Sequence, residues 1–293
     1  ALSHVAVHLI HLTAADGGCN AWPEAATIKW TFYLECRQSH RKTRRQYTHF
    51  IIVCLNEKVT NQPADPPGLN KSLRKGKSMF VEREKTASFD VDPQRGFTPL
   101  CPKELPIAGG DEIAGELNEQ ANYASCRVVS KDQHPAEALW VTDDPNLVLT
   151  PVEGDYPNLD VRWPAHCVAG TEGNRLIPGL PDEDAYDLVV HKGVDPEKHP
   201  YGACYHDLAS SESTGVIEWL QQRNIETVIV GGLATDYCMK TTALQLKAAG
   251  FKVIVNLGAC RSVNPATLDA DQTEMRRAGI YIIQSASELQ SSP

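Results

Sequence analysis

From about Thr86 onward the chain alternates two kinds of stretch. Short apolar runs, rich in β-branched residues and bounded by polar or glycine positions, predict strands at Ala87–Val91, Arg127–Ser130, Asp187–His191, Thr227–Gly231, Lys252–Asn256 and Ile280–Ile283. Longer stretches between them predict helices at Asp111–Ala124, Ser213–Arg223, Asp236–Ala249 and Pro265–Ala278. Gly250 follows the third of these, a natural residue just past a helix end. Strands alternating with helices imply a parallel sheet with right-handed crossovers and helices on both faces, a three-layer α/β/α architecture. In such sheets ligands bind beyond the carboxyl ends of the strands, so chemistry is sought there.

Residues 1–85 do not share the pattern. Two runs, Ile28–Glu35 and Gln46–Leu55, carry aromatic and β-branched residues on either side of the basic run Arg41–Arg45, and predict a β-hairpin. The stretch Asn56–Met79, with three prolines and the run KSLRKGK, reads as an exposed linker. The chain therefore divides into an extension, 1–85, and a body, 86–293.

Charge follows the same division. Residues 1–85 hold 13 Lys and Arg against 7 Asp and Glu, a balance of +6; the rest hold 15 against 30, a balance of −15. The acidic body argues against nucleic-acid binding, and the basic extension reads as a solvated face, with an anionic partner as the rival reading. No apolar run approaches the roughly 20 residues of a membrane span, and Ala1–Leu12 lacks the basic start of a signal peptide. Nine scattered cysteines without a CxxC pair predict free thiols in a reducing, cytoplasmic setting, not a disulfide scaffold or a zinc knuckle.

Three strand ends carry reactive side chains. The first finishes in Asp92-Pro93-Gln94-Arg95-Gly96-Phe97, the second in Asp132-Gln133-His134-Pro135, the third in His191-Lys192-Gly193. Asp132 and His134 are two apart in extended chain and point the same way. With His166, from the segment WPAHCVAGT, they make a mixed oxygen and nitrogen set suited to zinc, manganese or iron with positions left open. A lysine beside an acid and a thiol favours the thiolate. The segment GGLATDYC leaves a buried strand and enters a helix with Asp236 as expected N-cap, so Cys238 falls in the first turn. There free N–H groups and the helix dipole favour a thiolate and could hold an oxyanion. On position alone a buried structural cysteine is an equal reading.

Taken in order, DPQRGF, KDQHP, WPAHCVAGTEG, HKG and GLATDYCMKTTALQLKAAG resemble the nicotinamidase/pyrazinamidase branch of the isochorismatase-like hydrolases, from roughly Thr86 to Ser287. The resemblance implies a Rossmann-like doubly wound sheet and hydrolysis of nicotinamide to nicotinate and ammonia through a cysteine thioester, in NAD salvage, with pyrazinamide as a second substrate. It implies a catalytic triad of Asp92, Lys192 and Cys238. One divalent metal, zinc before manganese or iron, is implied on Asp132, His134 and His166. Phe97, Trp163 and Tyr201 are implied at the substrate ring, and the backbone N–H groups of Ala234 and Cys238 as the oxyanion hole, with the Leu233–Ala234 peptide cis. Ala138 departs from the pattern: some members carry a second metal-binding histidine there. Gly202 and Cys204 also replace the usual Ser and Phe. The rival within the superfamily is an amidase for another small amide or a ureido substrate, whose members generally lack the Asp-x-His metal set. A homo-oligomer is left open.

Overall fold

The chain divides into two compact units, residues 1–74 and 75–293. A computed structural model describes residues 78–291 in full, and the backbone of three strands before them. Those strands are β1 (Val5–His8), β2 (Thr27–Gln38) and β3 (Tyr47–Lys58). They form an antiparallel sheet in the order β1-β2-β3, with Trp30 opposite Leu55. The hairpin expected over residues 28–55 is therefore present, with longer arms and a third strand at its edge. The run Arg41–Arg45 and most of the linker lie outside the described residues.

The second unit is built on six parallel strands. These are β5 (Thr86–Val91), β6 (Cys126–Asp132), β7 (Leu188–Lys192), β8 (Thr227–Leu233), β9 (Lys252–Arg261) and β10 (Tyr281–Ile283), in the order β10-β9-β8-β5-β6-β7. Four helices intervene: α1 (Ala114–Ala121), α2 (Val216–Gln222), α3 (Lys240–Ala248) and α4 (Leu268–Arg277). All sit inside the stretches where the pattern predicts them, and all are shorter: 3₁₀ or π turns precede α1, α3 and α4, and α2 begins only after the left-handed Gly215. Two further short strands, β4 (Met79–Val81) and β11 (Leu289–Ser291), pair in parallel. Residues 75–85, placed by the sequence pattern with the extension, thus include a strand of the second unit.

Alternation along the strands decides which residues cover which face. Ala87, Phe89, Val91, Val228, Val230, Val253 and Val255 point to one side, where Ile217 and Leu220 of α2, Leu246 of α3 and Met275 of α4 meet them. Ile229 and Ile254 point to the other, against Val81, Ile283 and Leu289. The strands are consequently apolar on both faces, as parallel sheets covered by helices require. Among the described residues no helix is long and apolar enough to cross a membrane.

The strand order reverses between β5 and β8, whose ends run side by side with Val91 opposite Gly232. Gly232 has φ 135°, and a Cβ there would stand 1.9 Å from the Val91 carbonyl oxygen. Only glycine fits that crossing, which brings the two strand ends to the reversal point where such sheets bind ligands.

Candidate active site

Each strand around the reversal delivers one reactive side chain. Asp92 follows β5 in a left-handed turn at φ 45°, a conformation aspartate tolerates better than most residues. Asp132 and Lys192 are the last residues of β6 and β7, paired directly across the two strands. Cys238 comes from the π-type turn Thr235–Met239 that joins β8 to α3. The Leu233–Ala234 peptide before it is cis.

That turn differs from the expected helix start. Ala234, not Asp236, occupies the N-cap position, and its carbonyl accepts from the N–H groups of Tyr237 and Met239 but not of Cys238. The Asp236 carboxylate instead accepts from the backbone N–H groups of Val263 and Asn264, at 3.0 and 2.8 Å. The reason is tertiary: the chain beyond β9 passes within reach and supplies two donors that a local cap would not use.

At the centre lies the fully buried Lys192 ammonium. Its Nζ is 3.0 Å from Asp92 Oδ2 and 3.5 Å from Cys238 Sγ, and it also contacts Asp132 Oδ1. Burial alone would lower the lysine, but the Asp132 and Asp92 carboxylates outweigh it and hold the ammonium charged. Burial also opposes ionisation of Asp132, yet the Lys192 ammonium keeps its carboxyl well below the usual range. Asp92 is pushed up to about 6 by burial, against the pull of Lys192 and of a 2.6 Å hydrogen bond from Ser130 Oγ to Oδ1. Burial likewise pushes the Cys238 thiol well above its ordinary range, and the two carboxylates add to this while Lys192 opposes it. Burial and the carboxylates thus work against the thiolate that helix position suggests, and Lys192 works for it.

His134 and His166 lie next to this cluster. His134 Nδ1 faces the Gly193 carbonyl at 2.9 Å and His166 Nδ1 the Pro164 carbonyl at 2.7 Å. A carbonyl only accepts, so both Nδ1 atoms carry the proton and both Nε2 atoms present a lone pair. His134 Nε2 is buried without a hydrogen-bond partner among the described residues, 3.5 Å from Asp132 Oδ2. A shared cation would satisfy two buried acceptors facing each other, and imidazole and carboxylate donors of this kind suit a divalent metal. Burial lowers His166 to about 3, so its ring is neutral and able to ligate. The loop carrying His166 is laced to His134 by His134 N–H to Cys167 O (3.2 Å) and Ala169 N–H to His134 O (2.9 Å).

A pocket of about 300 Å³ opens above Cys238, walled by Phe97, Trp163, Tyr201, Tyr237, His166 and His199. The three predicted ring-contacting residues, Phe97, Trp163 and Tyr201, all reach it. Asp92 and Lys192 lie behind Cys238 with no exposure, so of these three only the sulfur faces the pocket. Trp163 Nε1 donates to Tyr201 Oη at 3.3 Å, and Tyr201 Oη donates onward to Asp160 at 3.0 Å.

Several contributors were invisible to motif reading. Gln94 donates to the Asp132 carbonyl (2.8 Å) and accepts from the Asp132 N–H (2.7 Å), while Asn174 Nδ2 donates to the same carbonyl at 2.7 Å. These two buried amides fix the backbone of Asp132. Glu104 Oε2 accepts from Cys167 N–H at 2.8 Å and so anchors the loop that carries His166. His199 joins His134 and His166, the three offering ring nitrogens within 4.8 Å of one another. Nothing local in Lys198-His199-Pro200 marks it; only the path of the chain after β7 brings it there.

Residues 86–287 match the isochorismatase domain family. A nicotinamidase of Escherichia coli is 33% identical over 210 residues, covering 68% of this chain and 96% of that protein. Among solved structures, a nicotinamidase and pyrazinamidase of Acinetobacter baumanii superposes with a TM-score of 0.63 at 30% identity, covering 70% of this chain and 98% of that one. A pyrazinamidase of Pyrococcus horikoshii in complex with zinc superposes with a TM-score of 0.54 at 28% identity, covering 68% and 99%.

Proposed function

The chain belongs to the isochorismatase family and is an amidohydrolase, and we propose that it converts nicotinamide to nicotinate and ammonia with Cys238 as the nucleophile. One observation carries this reading: Cys238 Sγ, 3.5 Å from a lysine that is itself 3.0 Å from Asp92, faces an aromatic pocket of about 300 Å³. The pocket's aromatic walls suit a single flat ring with a small substituent, and pyrazinamide fits the same description.

In the proposed cycle Asp92 takes the thiol proton as Cys238 Sγ attacks the amide carbon. Lys192 stabilises the sulfur and carboxylate charges during the transfer. The tetrahedral oxyanion accepts hydrogen bonds from the N–H groups of Ala234 and Cys238. Asp92 returns its proton to the amide nitrogen, the C–N bond breaks, and ammonia leaves a thioester on Cys238. Asp92 then draws a proton from water as its oxygen attacks the thioester; the C–S bond breaks, Asp92 returns that proton to the departing sulfur, and the acid leaves and ionises to nicotinate. Such acid–base transfers supply about 10²–10⁴-fold, so positioning by the pocket walls must supply a comparable factor.

Asp132, His134 and His166 would hold one divalent ion, with zinc before manganese or iron. When bound, that ion supplies a Lewis-acidic anchor for a ring nitrogen of the substrate. Phe97 and Trp163 flank the ring, and Tyr201, held by Trp163 and Asp160, closes the side of the pocket. In this reading the amidohydrolase domain expected over 86–293 also takes in β4 from residues 75–85, 1–74 are a separate extension, and the reaction serves pyridine-nucleotide salvage in the cytoplasm.

The direct test is ammonia release from nicotinamide by the zinc-loaded protein. Cys238→Ala should abolish it with the circular dichroism spectrum unchanged; full activity in that variant would sink the assignment. Chelation should remove activity and zinc restore it. Activity indifferent to complete stripping would take Asp132, His134 and His166 out of the reaction.

A further inference from the structure

The loop after β6 offers the metal set His134 and no further donor toward it. Gln133, Pro135, Ala136, Glu137, Ala138 and Leu139 follow, with Glu137 exposed and Ala138 packed on the cluster of Trp140, Leu159 and Trp163. A set of Asp132, His134 and His166 therefore draws no fourth protein ligand from the stretch directly after His134. The opposite wall supplies a candidate.

His199 is 4% exposed, and its Nδ1 is buried with no hydrogen-bond partner among the described residues. Its ring stacks near His134, with centroids 5.4 Å apart, and lies 6.1 Å from that of His166. The same Trp140 ring packs on both, at 4.6 Å from His134 and 4.3 Å from His199. A buried imidazole with an unused nitrogen costs free energy unless something binds it. A core histidine serving only as packing would be expected to spend that nitrogen on a nearby carbonyl, as His134 and His166 spend theirs.

The backbone around His199 is held in place. Its N–H donates to Asn158 O at 3.0 Å, and Lys192 Nζ donates to the Pro200 carbonyl at 3.4 Å. Leu139 N–H donates to Pro196 O at 3.1 Å, tying the β6 loop to the β7 loop. Proline at 200 further restricts His199 to extended backbone.

We infer that His199 is a fourth protein ligand of the metal, completing a set of one carboxylate and three imidazoles. Two nitrogens bound to one zinc at about 2.0–2.1 Å lie no more than about 4.2 Å apart. The three ring nitrogens within 4.8 Å of one another are thus close to the spacing a common ion demands. The consequence is tighter retention of the ion than two histidines and an aspartate provide, with fewer positions left for water. This inference rests on the metal reading proposed above.

The test uses the full-length chain loaded with zinc. X-ray absorption at the zinc edge should count three imidazoles in the wild type and two in His199→Ala. Competition against a chromophoric chelator should show zinc held at least about tenfold more weakly by His199→Ala, since even an outer partner of a ligand is worth that much. Two imidazoles in the wild type overturn the inference, and that count stands even if the variant fails to fold. An unchanged zinc affinity with a raised KM for nicotinamide also overturns it, making His199 a wall of the substrate pocket. Absence of stoichiometric zinc from the wild type would instead overturn the metal reading and this inference with it.

Discussion

Asp92 and Lys192 divide one task by burial. The lysine stays charged because two carboxylates surround it, and Asp92 stays within reach of protonation because burial lifts it to about 6. If Asp92 is the base, kcat/KM for nicotinamide should fall as pH drops through about 6, since the proton then occupies the acceptor. Ser130 sets where that limb lies. Its 2.6 Å hydrogen bond to Oδ1 favours the ionised carboxylate, so Ser130→Ala should move the limb to higher pH, by about one unit. A pH–rate profile on both proteins checks the direction; an unmoved limb would show that Asp92 is not the group titrating. His134 depends in the same local way on Gly193, whose carbonyl orients the ring. A Cβ at Gly193, where φ is 64°, would lie 2.3 Å from His134 Cε1. Gly193→Ala should therefore weaken zinc retention while leaving most of the fold, as read by metal content after dialysis.

At the scale of elements, two joints align the strand ends. The β5–β8 crossing depends on Gly232, because a side chain there would meet the Val91 carbonyl at 1.9 Å and the backbone is left-handed besides. Gly232→Ala should cost more than about 3 kcal/mol, lowering Tm by roughly 10 °C in a unit of this size, measured by thermal melting. The second joint is Asp236, whose carboxylate pins the loop between β9 and α4 through two backbone N–H groups at 3.0 and 2.8 Å. Asp236→Ala should cost about 1–3 kcal/mol and loosen that loop, seen as faster amide exchange at Val263 and Asn264. A local N-cap role predicts instead that exchange rises in the first turn of α3, so the two explanations separate.

At the scale of the molecule, the second unit carries its own edge closure. β4 pairs with β11, and Val81, 2% exposed, packs with Ile229, Ile254, Ile283 and Leu289. A chain beginning at Lys75 should keep both its Tm and its activity on nicotinamide. One beginning at Thr86 loses β4 and the burial of Val81, and should melt lower by about 2–4 kcal/mol of stability. Equal melting of the two would show that β4 contributes nothing. The opposite charges of residues 1–85 and 86–293, +6 and −15, do not reach the site, which among the described residues uses buried charges from the second unit.

The sequence by itself determined the parallel α/β body, because apolar runs and helical stretches alternate strongly enough for every main strand and helix to be legible. It also showed reactive residue types at the strand ends, since Asp92, Asp132 and Lys192 sit at or just past readable apolar runs and Cys238 lies in the turn after another. Three things only the tertiary structure decided. The edge strands β4 and β11 are three residues each and have no period to read. The Asp236 side chain left its cap position because a distant loop offered two donors. His199 reached the histidine cluster through the short irregular stretch after β7, and convergence of that kind is set by packing across the site, which no spacing along the chain records.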